Sequence, residues 1–170
     1  SCPLYLGKII KDVQIKEPPE WLKKKIDSLG MKSINVVVDL ANYVMLTFGQ
    51  PMHTFDFDKL SSKKIQVGYP KKNEIFTSLD GVDRKLSYNN LLIKDGSTPI
   101  AIAGVIGGKN TEVDNSTKNI FIESALFAPT IIRKSAKSVD VASDASKRFE
   151  RSVDPLMADI AINILSGLIT

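Results

Sequence analysis

The spacing of apolar and polar positions changes several times along the chain, and each change predicts an element. Leu4 to Ile10 are mostly apolar and read as a strand. Pro18-Pro19-Glu20 then opens a helix that runs to about Leu29. Proline suits the first helical turn, an acidic residue favours the positive end of the dipole, and Gly30 is a good terminator. From Ser33 a second helix follows, with Val36, Leu40, Val44 and Phe48 four apart and Val37, Ala41 and Met45 beside them. That spacing gives a broad apolar stripe. Asn35, Asp39 and Asn42 stack on another face, which either meets water or lines a pocket. Gly49 ends this helix. After the turn Gly49-Gln50-Pro51 the period becomes two, so that His53, Phe55 and Phe57 share one side of a strand and Thr54, Asp56 and Asp58 the other.

Short strands occupy the middle of the chain: Lys64 to Gly68, Glu74 to Leu79 and Lys85-Leu86, with Asp80-Gly81 as a hairpin signal. Leu91 to Lys94, Asp95 to Thr98 and Ile100 to Ile106 read as strand, turn and strand, the last running into Gly107-Gly108. Asn119 to Leu126 is one more strand, and Ala128-Pro129 to Ser138 a helix. Asp154-Pro155 opens a final helix, with Asp154 as cap and an apolar stripe of Leu156, Ile160, Ala161, Ile164, Leu165 and Leu168. Strands in the middle and helices near both ends predict an α+β fold, with mixed or antiparallel sheets of short strands packed with helices in a β/β/α, sandwich-like arrangement.

A length of 170 residues fits one domain, residues 1–170, or two intimately packed halves. The final apolar segment, Ile160 to Thr170, lacks a helix stop signal, and the expectation is a piece cut from a longer polypeptide. With 43% hydrophobic and 25% charged residues the composition is that of a soluble globular protein. One cysteine, Cys2, excludes an internal disulfide, and with His53 as the single histidine a zinc site is not expected. That cysteine usage makes an intracellular setting the expectation. No run is long and apolar enough for a membrane span, so no membrane partner is expected. The net charge of +4 permits contact with nucleic-acid phosphates without demanding it. The basic clusters at Lys23-Lys24-Lys25, Lys63-Lys64, Lys71-Lys72 and from Arg133 to Lys137 read as solvated faces.

Four features carry candidate chemistry. His53 lies beside Phe55 and Phe57 and is either a core histidine or a proton shuttle. Gly104, Gly107 and Gly108 follow an apolar strand in a G-x-x-G-G spacing that is neither the dinucleotide fingerprint nor a P-loop. They allow close approach to exposed backbone N–H groups, or simply a bulge. Glu123 interrupts the apolar run from Phe121 to Phe127, and a carboxylate there must be paired, solvated or functional. The charged stretch from Ser143 to Pro155 reads as a salt-bridged surface element for Arg148, Glu150 and Arg151, with Ser143, Ala145 and Ser146 small enough to form a pocket wall.

Taken together, these segments resemble the beta subunit of bacterial-type phenylalanyl-tRNA synthetases. The likeness is carried by Ser33-Ile34-Asn35-Val36-Val37-Val38-Asp39, Asn42-Tyr43-Val44 and Gly49-Gln50-Pro51-Met52-His53-Thr54-Phe55-Asp56. Ile102-Ala103-Gly104-Val105-Ile106-Gly107-Gly108 and the run from Ser143-Asp144-Ala145-Ser146 through Arg148-Phe149-Glu150-Arg151 to Val153-Asp154-Pro155 add to it. The resemblance covers nearly the whole chain and corresponds to that family's central editing module. It implies an ester hydrolase that removes tyrosine from mischarged tRNA(Phe), within a ligase of protein biosynthesis. It implies that His53 belongs to the hydrolytic site, that Glu123 and the backbone N–H of Gly107 read the tyrosine hydroxyl, and that Ser143, Ala145 and Asn42 line the pocket. The implied partners are the tRNA(Phe) 3′ end, the tyrosine moiety, the alpha subunit and the other beta-subunit domains. No cofactor or metal is implied for this module, whereas the full enzyme of the family uses ATP and magnesium. One departure stands out: Ala41 occupies a position where the family usually carries threonine, so one hydroxyl is missing. The alternative is a non-catalytic scaffold in which editing has decayed.

Overall fold

The computed structural model describes all 170 residues. In chain order the elements are β1 (Leu4–Ile10), α1 (Glu20–Ser28), α2 (Val36–Phe48), β2 (Met52–Asp56), β3 (Ile65–Gly68), β4 (Ile75–Thr77) and β5 (Asp83–Lys85). They continue as β6 (Leu92–Asp95), β7 (Thr98–Ile102), β8 (Ile106–Gly107), β9 (Ile120–Leu126), α3 (Pro129–Ser138), α4 (Asp144–Phe149) and α5 (Met157–Ile169). The architecture is α+β with antiparallel strand pairs, as the sequence predicts. The chain divides into two compact units, each assembled from separated segments: unit one is Ser1–Leu4, Lys59–Glu112 and Leu126–Val153, and unit two is Tyr5–Asp58, Val113–Ala125 and Asp154–Thr170.

Unit two contains a three-stranded sheet in the order β1-β9-β2, with β2 and β9 antiparallel. Its core gathers Leu22 and Ile26 of α1, Val37, Leu40 and Val44 of α2, Ile120 and Ile122 of β9, and Ala161, Ile162 and Leu165 of α5. The helix α2 begins later than the apolar pattern suggests. Asn35 is its N-cap, in extended conformation, and the Asn35 side chain accepts a hydrogen bond from the Val38 N–H at 3.0 Å. Asp39 is fully buried and accepts from the Ile34 N–H and the Ser33 hydroxyl, so it braces the start of the helix instead of facing water. Replacing Asn35 by alanine leaves the Val38 N–H without its partner. The expected cost is about 1 kcal/mol of stability, read as a lower urea midpoint at unchanged slope.

The buried face of α5 differs from the predicted stripe. Ala158, Ala161, Ile162 and Leu165 are buried, while Leu156, Ile160 and Leu168 are exposed. The helix starts at Met157, because the Asp154 side chain holds a preceding turn by accepting from the Leu156 N–H. The buried face packs on α2, with Ala161, Ile162 and Leu165 joining Val37, Leu40 and Val44 in one core. Phe57 likewise departs from expectation, lying in a single 3-10 turn, Phe57–Lys59, beyond the end of β2.

Unit one contains the sheet β3-β6-β7-β8 and the β4–β5 hairpin, whose turn holds Gly81 at φ +78° as Asp80-Gly81 predicts. The predicted strand from Ile100 to Ile106 is instead two strands. β7 ends at Ile102, Gly104 adopts φ +65°, and β8 returns antiparallel to β7. A Cβ on Gly104 would stand 2.9 Å from the Phe149 ring and 3.1 Å from that of Phe127, so both conformation and space require glycine there. Asp95 closes the β3 end of this sheet. Burial alone would raise its pKa, but bonds from Ser62, Ser61 and the Lys64 N–H outweigh that and bring it down to about 2.

Candidate functional site

The residues singled out in the sequence fall into two groups, one in each unit. In unit two, His53 on β2 stands directly opposite Glu123 on β9 in the antiparallel register. The strand pairing therefore brings together the two groups with the most perturbed environments in the chain. Glu123 is buried, 6% exposed, among the apolar residues of β9. Loss of hydration pushes its pKa up to about 7, although a hydrogen bond from the Tyr5 hydroxyl pulls the other way. Burial draws His53 down to about 4, so the imidazole is neutral at physiological pH. Its ring packs edge-on against Phe55, with centroids 4.5 Å apart. His53 is thus a half-buried residue packed against an aromatic ring, as the core-histidine reading expects.

Tyr5 is the residue that pattern reading missed. Its hydroxyl donates to Glu123 Oε2 at 2.7 Å, from β1 on the far side of β9 in the sheet order. The other carboxylate oxygen, Oε1, makes no hydrogen bond. The only signal in the sequence is a phenol within an otherwise apolar strand, 118 positions from its partner. Because the Tyr5 bond favours the ionised form, Tyr5→Phe is expected to raise the Glu123 pKa above about 7. A carbon-13 NMR titration of the side-chain carboxyl checks this, and an unchanged or lowered midpoint contradicts it. Asn42 lies on α2 in the same unit, half-buried, and the adjacent Ala41 is buried in the core with no polar group to offer.

In unit one, Gly107 is the last residue of β8, buried, with its carbonyl accepting from the Leu79 N–H at 3.0 Å. Gly108 is held by its own N–H, which donates to the Ile100 carbonyl at 2.8 Å. Ser143 caps α4 by accepting from the Ser146 N–H, and its hydroxyl donates to the Val105 carbonyl at 2.7 Å. That bond ties the start of α4 to the turn between β7 and β8, which leads into Gly107. Ala145 sits in the first turn of α4. The expected surface network of salt bridges reduces to one pair, Arg148 with Asp144, within that helix. Glu150 and Arg151 make none.

No cluster of three or more His, Cys, Asp or Glu side chains is placed to hold a metal ion. No helix is long and apolar enough to cross a membrane. What the geometry of unit two can do is chemical in a narrow sense. A buried carboxylate already engaged with one phenol hydroxyl keeps an open acceptor oxygen, across the sheet from a neutral imidazole.

A family model for the B3/4 domain matches residues 1–170. The chain belongs to the B3/4 domain family. The phenylalanine–tRNA ligase beta subunit of Protochlamydia amoebophila is 46% identical over 99% of this B3/4 domain and 21% of its own length. That of Fusobacterium nucleatum is 49% identical over 90% of the domain and 19% of its own length. The domain thus spans about a fifth of the length of these relatives. Among solved structures, the crystal structure of an N-terminal fragment of the phenylalanyl-tRNA synthetase beta-subunit from Pyrococcus horikoshii aligns with a TM-score of 0.54 at 20% identity. The alignment covers 81% of this chain and 45% of that one, and the likeness is one of fold.

Proposed function

We propose that this B3/4 domain is the editing module of a cytoplasmic, bacterial-type phenylalanyl-tRNA synthetase, hydrolysing tyrosine wrongly attached to tRNA(Phe). Within that ligase its partners would be the tRNA 3′ end, the alpha subunit and the remaining beta-subunit domains. The observation that carries the reading is the environment of Glu123, a buried carboxylate that receives a phenol hydroxyl on Oε2 and keeps Oε1 as a second acceptor. Tyrosine and phenylalanine differ by one hydroxyl. A bound tyrosine donates that hydroxyl to Glu123, whereas a bound phenylalanine leaves a desolvated acceptor unmatched. Unmade buried hydrogen bonds cost about 1–3 kcal/mol each, and sites built to pair a hydroxyl discriminate strongly against its absence.

The reaction is hydrolysis of the aminoacyl ester. Water oxygen bonds to the carbonyl carbon, the bond to the ribose oxygen breaks, and the water proton ends on the leaving hydroxyl. His53, neutral near pH 7, accepts a hydrogen bond from the attacking water and orients it; with a pKa of about 4 it is not a proton donor at that pH. Gly107, Ser143, Ala145 and Asn42 complete the proposal as pocket residues on the strength of the family resemblance. The test is deacylation of tyrosyl-tRNA(Phe) by the assembled enzyme, comparing wild type with Glu123→Ala. The non-catalytic scaffold has one observation in its favour, the apolar Ala41 in the core. It becomes the better reading when wild type and variant hydrolyse at the same background rate.

A further inference from the structure

The charge of the chain is unevenly divided. Unit one carries 15 basic and 8 acidic side chains, a net +7, whereas unit two carries 8 and 11, a net −3. Within unit one, α3 and α4 flank a cleft of about 440 Å³. Arg133, Lys137, Lys147 and Arg151 line it, together with Asp140 and Glu150. None of these six side chains makes a hydrogen bond or an ion pair. The cations come as two i, i+4 pairs, and Arg133 and Lys137 lie within α3, where like charges one turn apart cost the helix stability. The helix dipoles account for Lys137 and Lys147, which sit in last turns. They do not account for Arg133 in the middle of α3 or Arg151 beyond the end of α4.

We propose that the cleft between α3 and α4 is a binding surface for the phosphate backbone of an RNA strand. Two rows of unpaired cations on either side of a shallow channel fit a continuous polyanion. Small residues, Ala136 and Ser146, form its buried floor and let a backbone approach closely. No aromatic side chain lines the cleft, so it offers no platform for stacking bases and reads charge, not sequence. An acidic protein partner would call for an apolar or aromatic anchor at the centre of its footprint, and the floor supplies none. The surface itself stands on the charge distribution. That its RNA is the tRNA whose 3′ end is edited rests on the proposed function.

The experiment measures binding of the 170-residue chain to a fluorescein-labelled, single-stranded RNA 20-mer of mixed sequence by anisotropy, between 50 and 200 mM KCl. The variants are R133Q/K137Q and K147Q/R151Q, with K71Q/K72Q as a control that removes two exposed cations of the same unit outside the cleft. Circular dichroism melts verify that each folds. Each cleft variant is expected to weaken binding about 10-fold at 100 mM KCl and to lower the slope of log affinity against log salt by about 1–2, while the control changes affinity less than about 3-fold. Equal losses in cleft and control variants overturn the proposal, as does unchanged affinity. Competition by polyglutamate as strong as that by unlabelled RNA assigns the surface to an acidic protein and also overturns it. Glu123→Ala separates the two readings: it is expected to bind RNA like the wild type, so loss of deacylation with retained binding bears on editing alone, and the reverse pattern on the cleft alone.

Discussion

On the proposed editing function, Glu123→Ala is expected to erase a preference of the assembled enzyme for tyrosyl- over phenylalanyl-tRNA(Phe). The loss should come from slower hydrolysis of the tyrosyl ester, with the phenylalanyl ester unchanged or cleared faster. Under the proposed function, phenylalanine binding to the wild type strands a buried acceptor, and the alanine variant has no acceptor to strand. Near pH 7 Glu123 is about half ionised, and leaving a buried partner unmatched costs about 1–3 kcal/mol, which is roughly a 5- to 150-fold change in the ratio of kcat/KM values. Glu123→Gln separates recognition from packing, because it keeps the volume and an acceptor oxygen while removing the charge. Its preference should fall by about 10-fold or less. Competition between tyrosyl- and phenylalanyl-tRNA in one reaction reads the ratio directly. Identical, background-level hydrolysis by wild type and both variants would sink the assignment. A retained tyrosine preference in Glu123→Ala would move the hydroxyl reader elsewhere.

Glu123 and His53, its cross-strand partner, should leave a mark on stability that does not depend on any substrate. Glu123 titrates near 7 in the folded chain against an ordinary value of 4.5. The unfolded chain ionises it first, so stability falls as pH rises from about 4.5 to 7, by roughly 3 kcal/mol in all. His53 titrates near 4 against an ordinary 6.5. Here the unfolded chain takes up the proton first, so stability falls as pH drops from about 6.5 to 4. Between 4.5 and 6.5 the two slopes oppose each other, and the wild type should be nearly flat. Glu123→Gln removes one slope and leaves a protein whose stability climbs with pH across that window. His53→Gln leaves the other, a protein that weakens as pH rises. Asp95 acts below this range: its pKa of about 2 adds stability that is present above the ordinary 3.8 and is lost on acidification through 2. Urea midpoints at pH 4, 5, 6 and 7 for the three proteins decide the matter, and parallel profiles contradict it.

Where the chain announces its structure locally, sequence reading succeeded. Gly30, Gly49 and Gly81 all take positive φ at the turns they were expected to make. The strand β9 is legible as an apolar run, and Glu123 is conspicuous within it because a carboxylate has no business among apolar neighbours unless something meets it. What met it was not legible, since Tyr5 belongs to a strand that pairs with β9 only through the fold. The turn at Ala103-Gly104-Val105 was hidden because it is apolar, buried under Phe127 and Phe149, and a buried turn need not carry the polar residues of an exposed one. The helix α4 carries its signals, a Ser143 cap, Asp144 in the first turn and Lys147 and Arg148 in the last, but in six residues these look like alternating surface charge. For α5, periodicity defined a helix and left open which of two apolar faces would be covered. The proposed editing role rests on the resemblance, and composition and periodicity do not point to it.

The position of β9 at the centre of its sheet has a consequence for how the protein comes into being. β1 and β2 are both synthesised early, yet neither neighbours the other; each can pair only with a strand that begins at Ile120. On a ribosome, two strand edges and the apolar face of α2 must therefore wait for most of the chain to emerge, and α2 waits longer still for α5. Such long-range closure slows folding and lengthens the time during which unpaired edges can find the wrong partner. The carboxylate proposed to police the accuracy of translation thus arrives on the strand whose insertion completes the sheet, so that a chain released before β9 would lack both the detector and the framework that holds it.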